Sequence, residues 1–495
     1  MSSLQASQGY ASPLQAKSLW WILLVLILAV SVGDWELVAA EPGHSLLRIA
    51  QGLVMPQWPP LSEALAALIS TAAFALQGVA LAVLLGFVMA CGFGSAAIRR
   101  LAAFLRSIHE LFWALLFIQV MGLTPLAGVL ALAIPYAGTF AKIYGELFEE
   151  VDPAPLRALP ATSRLSLLAY TTLPAAWPAM KAYTAYRMEC GLRSAAVLGF
   201  VGLPTIGVHL EAALRQTAYA EAAAWFYLLL ICLLALRWGL NRWTLIPALG
   251  FALWSLPPVA HIDAALLWQF VSVDLVPLPL RSDLVSWRDW FQPLLFLQIG
   301  PGLMHTLALA TLAIVATGVL ALIAFPLASK QISGRWLSGL GQAGLLLLRS
   351  APEYFLAFVG LLLFGPNYLP AILALSLHNG AIVAFVVGQY ANDLKWRADA
   401  AGGLNRYFYE CLPRLFRPFM AFMLYRFEII MRETAVLGML GIPTLGFFID
   451  SAFSEFRFDR ALVLLLVTAL LNMAVDSMAR RWRLRLHLRA QAEAI

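Results

Sequence analysis

The chain has 495 residues, 61% of them hydrophobic and only 12% charged, with a mean hydropathy of +0.80. A soluble globular chain runs near 45–50% apolar and about 25% charged, so a large soluble protein is excluded. The net charge of +6 gives no reason to expect nucleic acid, and four scattered cysteines with seven dispersed histidines form neither a disulfide framework nor a metal site. No cofactor is expected, and Cys91, Cys190, Cys232 and Cys411 read as packing residues.

Apolar runs of about 20 residues, enough to cross a hydrocarbon core of ~30 Å, recur along the chain. In the first part they predict spans near 19–38, 65–92, 107–122, 125–148, 174–200 and 222–237. In the second part they predict spans near 244–259, 303–328, 342–364, 368–390, 417–440 and 461–477. The first run begins later and runs longer than a cleavable signal sequence, and reads as a retained span. The fold class expected is an all-α polytopic membrane protein with about twelve transmembrane helices. They divide into a first unit at 1–240 (core 65–237) and a second at 241–495 (core 303–477).

Lysine and arginine orient such an array, because cytoplasmic loops collect them. Arg99, Arg100 and Arg106 fall between the second and third spans, and Arg237 and Arg242 between the sixth and seventh. Lys330 and Arg335 follow the eighth, Lys395, Arg397, Arg406 and Arg414 follow the tenth, and Arg480, Arg481, Arg483, Arg485 and Arg489 follow the last. All lie on one side if twelve spans leave both termini in the cytoplasm. The opposite loops, 34–62 and 257–302, are mixed or acidic and rich in Trp and Pro. Within them "HSLLRIAQGLVMPQWPP" and "DLVSWRDWFQPLLFLQIG" read as interfacial segments or as simple connections.

The chain repeats itself. "YRMECGLRSAAVLGFVGLPTIG" from Tyr186 returns as "YRFEIIMRETAVLGMLGIPTLG" from Tyr425, an offset of 239 residues without a gap. "RSIHELFWALLF" from Arg106 matches "RSAPEYFLAFVG" from Arg349 at an offset of 243, so the second copy has lost four residues in the intervening loop. An even number of spans per copy makes the copies run in the same direction, related by an axis along the membrane normal with room for a solute route between them. A secondary transporter of six plus six spans shares that arrangement. It would carry coupling carboxylates in mid-span and a charged signature after its second span, whereas here the repeated loop signature follows the fourth.

Glu189 and Arg193, and Glu428 and Arg432, are spaced four apart on one helix face. Ionisable groups inside a span are costly and are paired or turned to an aqueous cavity. Two readings stay open: self-neutralising structural pairs, or charges bordering a route. Glu110 and Glu353, at matched places, are weighed alike. In "GFVGLPTIG" and "GMLGIPTLG", Gly202 with Pro204 and Gly441 with Pro443 predict a broken helix, either a constriction or a turn. The loops "EEVDPAPLRALPATSRLSLLAYTTLP" and "NDLKWRADAAGGLNRYFYECLP" each hold a short patch of small residues before Leu-Pro, suited to docking in a groove of another protein.

Taken together, "PLRALPATSR…TLP", "RSAPE" and the twin "E-x-x-x-R-x-A-x-V-L-G" segments resemble the membrane-permease subunits of ABC importers of type I architecture, most of all the phosphonate and phosphite uptake branch. The resemblance covers the core of each copy. It departs at Ala161, where the family loop has Gly, and at Pro204-Thr205 and Pro443-Thr444, where Gly-Gly is usual. It implies coupling loops that insert into separate ATPase subunits, carried here by Leu156, Arg157, Ala158, Ala161, Ser163 and Arg164, and by Ala400, Ala401, Gly403, Asn405 and Arg406. It implies an extracytoplasmic solute-binding protein, a bacterial inner-membrane location and a small oxyanion as substrate. The candidate pathway or gate residues are Glu110, Glu189, Arg193, Gly202, Pro204, Glu353, Glu428, Arg432, Gly441 and Pro443. Arg187, Arg193, Arg426 and Arg432 suit an oxyanion or are neutralised by their glutamates. No G-x-x-x-x-G-K-[ST] phosphate loop occurs in the sequence.

Overall fold

Long stretches of Leu, Ala, Val and Ile offer the backbone no polar partner but itself, and at membrane depth that leaves helix as the stable choice. A computed structural model of the chain describes residues 13–36, 42–152, 163–239, 243–258, 264–282, 285–397 and 403–485, and among them it contains helices and no strands. The first copy holds α1 (Pro13–Val32), α2 (Pro42–Val54), α3 (Leu61–Cys91), α4 (Ala96–Ser107), α5 (Glu110–Met121), α6 (Pro125–Glu150), α7 (Leu173–Val197), α8 (Ile206–Arg215) and α9 (Tyr219–Gly239). The second holds α10 (Leu245–Trp254), α11 (Ala264–Gln269), α12 (Gly300–Ala328), α13 (Lys330–Ser350), α14 (Glu353–Phe364), α15 (Tyr368–Asn392), α16 (Leu412–Leu437), α17 (Leu445–Ser454) and α18 (Phe458–Arg485).

Among the described residues six helical segments are long and apolar enough to cross a membrane, and ten if each of four bent pairs counts as one span. Twelve spans are thus not fully shown among the described residues, and two kinds of segment depart from the expectation. The expected span at 244–259 stops at Trp254, ahead of Ser255-Leu256-Pro257-Pro258, because a residue before proline is pushed out of the helical region. At 1.5 Å per residue, α10 covers only about half of the core. It lies beside α3, where Gln77 Nε2 donates to the Ser255 carbonyl at 2.6 Å. A second short apolar helix, Ala264–Asp274, then reaches the start of α18, where the rings of Phe270 and Phe458 lie 5.3 Å apart.

The expected span 342–364 is broken in its interior, and 107–122 holds the 12-residue α5 with a corner at its start, Ile108-His109. α4 meets α5 at 87° and α13 meets α14 at 88°. The second corner is set by Pro352, which holds Ala351 extended; at the first, Ile108 is extended and the His109 ring accepts from the Leu111 N–H at 3.3 Å. The twin repeat segments bend as their Gly and Pro residues require. α7 and α16 each tighten into a 3-10 turn, then pass through Gly202 (φ +87°) and Gly441 (φ +93°) before α8 and α17, with bends of 53° and 47°. At their other ends, the missing N–H of Pro174 and Pro413 is absorbed by π turns at Leu168–Thr172 and Tyr407–Cys411. Both segments read as interfacial or loop contribute helix: α2, and Trp287–Pro293, which runs on into α12. Of the cysteines, Cys190 and Cys411 are buried and Cys91 is exposed.

α1 packs on α12 of the second copy, and α10 packs on α3 of the first. Residues just beyond α1 are stitched to the start of α15, with the Tyr368 N–H donating to Asp34 O at 3.1 Å and Asn367 Nδ2 to Glu36 O at 2.9 Å. Phe200 completes the seam, its ring 4.1 Å from Tyr354 and 5.0 Å from Phe355.

A buried threonine pins each bent segment. Thr71 accepts from the Ile206 N–H at 2.9 Å, and Thr306 from the Leu445 N–H at 3.0 Å, satisfying one orphan donor at the start of α8 and of α17. Gly207 and Gly446 follow, where an added Cβ would strike the carbonyl oxygen of Ala196 or Ala435. Thr306→Val strands the Leu445 N–H in the interior and is expected to cost about 1–3 kcal/mol. Thr311→Val, which loses only a bond to its own helix at Leu307 O, is expected to stay within about 0.5 kcal/mol. Chemical unfolding of the detergent-solubilised variants measures both.

Candidate functional site

The corner between α4 and α5 lies halfway along α6, where Gly138 leaves room for the backbone of Ala102 and Arg106. A helix that ends there releases carbonyl oxygens where the bilayer supplies no water. Their partners come from the other copy. Arg432 Nη1 donates to Arg106 O at 2.9 Å, and Asn472 Nδ2 donates to Ser107 O at 2.8 Å. The arrangement is reciprocal, since Arg193 Nη1 donates to Arg349 O at 2.9 Å at the α13–α14 corner. His378 Nδ1 lies 2.9 Å from Ala351 O, the geometry of a donated N–H.

This removes the self-neutralising pairs. Among the described residues neither Glu189 with Arg193 nor Glu428 with Arg432 forms an ion pair. The i,i+4 spacing allows such a contact, but each arginine reaches across the seam instead, to a backbone carbonyl at the opposite corner. Glu428 pairs instead with Arg483 of α18 at 2.6 Å.

Around the corners sits a polar layer. Glu110 accepts from Ser194 Oγ at 2.5 Å and has His109 Nε2 at 3.5 Å, while the Tyr136 hydroxyl is 3.1 Å from Ser194 Oγ. In the second copy Glu353 faces His378 Nε2 at 3.7 Å, and that nitrogen is 3.0 Å from Arg193 Nη1. Asn379 Nδ2 donates to Glu433 Oε2 at 3.0 Å and Arg426 reaches Asn379 Oδ1 at 3.5 Å. By the repeat offsets, Asn379 is the twin of Tyr136 and Glu433 the twin of Ser194. One scaffold therefore carries two different sets of side chains.

Arg187 meets these networks through Tyr136. Its guanidinium lies over the rings of Tyr136, Tyr183 and Tyr186 at 5.4, 5.5 and 5.9 Å, and its Nε donates to the Tyr183 hydroxyl at 2.7 Å. Among the described residues no carboxylate comes within ion-pair reach of it. Tyr183 and Tyr186 lie within electrostatic reach of Tyr425, and Tyr186 of Arg426, so the two copies meet at this point.

Of the residues singled out from the sequence, Glu110, Glu353, Arg193 and Arg432 gather at the corners. Gly202, Pro204, Gly441 and Pro443 form the bends after α7 and α16. Leu156, Arg157, Ala158, Ala161, Ala400 and Ala401 lie outside the described residues. Ser163 precedes a helical turn at Arg164–Leu167, and Gly403, Asn405 and Arg406 lie on its twin at Gly403–Arg406. The second turn is tied down by Arg406 over Trp396 at 5.5 Å and by Arg414 Nη1 donating to Lys395 O at 2.9 Å. Tyr136, Ser194, His378, Asn379 and Glu433 were missed. "SLHNG", with the buried polar side chains of Ser376, His378 and Asn379 in an otherwise apolar span, was the available signal, because such residues mark function by default.

Residues 321–487 match the family described as the inner membrane component of binding-protein-dependent transport systems. The phosphite transport system permease protein PtxC of Stutzerimonas stutzeri is 32% identical over 193 residues, covering 36% of this chain and 70% of that protein. The chain belongs to this permease family. The phosphate-import permease protein PhnE of Mycolicibacterium smegmatis is 26% identical to the permease over 408 residues, 78% of this chain and 76% of that one. A putative cryptic phosphonate transport system permease protein of Escherichia coli is 34% identical over 105 residues, 21% of this chain and 86% of that one. No solved structure matches the permease. It is the permease subunit of an ABC importer, a multi-pass helical membrane protein.

Charge pairing separates the two possible partners of Glu428. Glu428→Gln with Arg483→Met should give a double-mutant coupling of about 1–3 kcal/mol, each single change costing more than the pair. Glu428→Gln with Arg432→Met should add to within about 0.5 kcal/mol. Unfolding free energies of the purified permease read both cycles.

Proposed function

We propose that the permease moves a small phosphorus oxyanion across a bacterial inner membrane, along a route between the units 1–240 and 241–495, with both termini in the cytoplasm. The observation that carries this reading is Arg187, a guanidinium at membrane depth ringed by phenols and unmatched by any carboxylate among the described residues. A buried cation without a fixed counter-charge is costly unless water or a visiting anion meets it. Guanidinium and phenol hydroxyls offer the forked, directional donors that phosphate-like oxygens accept. The relatives named for phosphite, phosphate and phosphonate transport support the same substrate class. Arg426, held by Asn379, is the twin position in the second copy.

Glu110, Glu353, Arg193 and Arg432 act in this reading as the closing contact between the copies, and the glycine-proline bends after α7 and α16 as a constriction. Glu189 and Glu428 flank the route. The loops 153–162 and 398–402, with the turns that follow them, dock into two separate ATPase subunits, and an extracytoplasmic binding protein delivers the solute. ATP-driven closure of the ATPases would then rock the copies about the corner contacts.

Arg187→Gln should lower uptake of phosphite, phosphonate or phosphate by about tenfold or more at unchanged membrane abundance, the loss of one charged hydrogen-bond donor. Uptake equal to wild type for all three anions would remove Arg187 from the route. A bulky charged residue at Ala161 or Gly403 should leave the protein inserted and release the ATPase, with uptake lost. Co-purification with a tagged ATPase subunit reads that result, and intact complexes in both variants would overturn the docking assignment.

A further inference from the structure

A cleft of ≈ 260 Å³ opens between α4, α6 and α18. It lies where α3, α6 and α18 all finish. Asp476 on its wall is already matched, pairing with Arg106 and lying 3.7 Å from Lys142 Nζ. Three more guanidinium groups face the cleft, from Arg99, Arg100 and Arg480, against one further carboxylate, Glu146. Arg99 donates to Phe93 O at 3.2 Å, and among the described residues neither Arg100 nor Arg480 enters an ion pair. The rest of the wall includes Phe93, Ala103 and Met473, so the cleft is cationic at its mouth and apolar on its flank. Trp482, two residues beyond Arg480, is exposed at 55%, and tryptophan favours the membrane interface.

We propose that this cleft holds the headgroup phosphate of an acidic phospholipid, with an acyl chain on the Phe93–Met473 flank. A free phosphate would use the arginines but not the apolar wall, whereas an anionic lipid uses both, and basic pockets between spanning helices at the membrane surface have the chemistry for it. The cleft is built from α4 and α6 of the first copy and α18 of the second. A lipid seated there joins the two copies beside the Arg432–Arg106 contact.

The test uses the full chain, purified in detergent and examined by native mass spectrometry after titration with phosphatidylglycerol, phosphatidylcholine or sodium phosphate. One phosphatidylglycerol is expected to stay bound where phosphatidylcholine does not. The double variant Arg100→Gln with Arg480→Gln should bind it about thirtyfold more weakly, at about a tenfold loss for each 1.4 kcal/mol and about 1 kcal/mol for each arginine. Arg100→Lys with Arg480→Lys should keep it, which separates lost charge from lost fold. Equal retention of both lipids, unchanged binding by the glutamine variant, or displacement by millimolar sodium phosphate would overturn the proposal, the last marking a soluble-anion site instead.

Discussion

The constraint on which this molecule turns is a pair of helix ends buried between the two copies, at the α4–α5 and α13–α14 corners. A span that stops there must find donors for its last carbonyls, and the bilayer supplies none. The chain meets the need with guanidinium groups sent across the seam, Arg193 to the second corner and Arg432 to the first. Neither copy can satisfy its own corner by this means. The two are bound by a requirement of the backbone as well as by packing, and a motion that separates them must exchange these hydrogen bonds for water or solute.

The same duplicated scaffold is chemically lopsided. Tyr136 and Ser194 attend Glu110, while Asn379, Glu433 and His378 occupy the second copy's layer. Arg106 pairs with Asp476 beside Lys142, yet its twin Arg349 lies 4.6 Å over the ring of Phe385, the residue that replaces that lysine. Duplication fixes where helices break. It leaves the two sides of the seam free to diverge, so a solute between them meets unlike neighbours.

Local backbone demands were legible in the amino-acid order. Gly202 and Gly441 announce positive φ, and Pro174 and Pro413 announce a disturbed helix start; each appears where the residues say it must. The repeat itself told that whatever forms once forms twice. Hydropathy misled at 342–364, because it measures how apolar a stretch is and ignores whether its peptides can stay collinear. The pairing of Arg193 and Arg432 was out of reach for a different reason. Helical spacing says which side chains share a face, but the partner that prevails is 156 or 326 residues away and was chosen by carbonyls that no side-chain pattern reveals.

The packing of α1 on α12 and of α10 on α3 has a consequence for how the protein is made. α1 is made before α15, and the residues that anchor its far end, Glu36 and Asn367, are 331 positions apart. At about 5–20 residues per second, α1 must wait roughly 15 to 70 seconds for that partner. During that interval it rests among lipids alone or on a provisional neighbour, and α3 likewise waits for α10. Assembly cannot finish one copy and then the other, because the first-made copy reaches its final packing only as the second threads into it. Biogenesis of this chain is thus a single late docking event, and a ribosome stalled after α9 would leave an inserted first copy without its last neighbours.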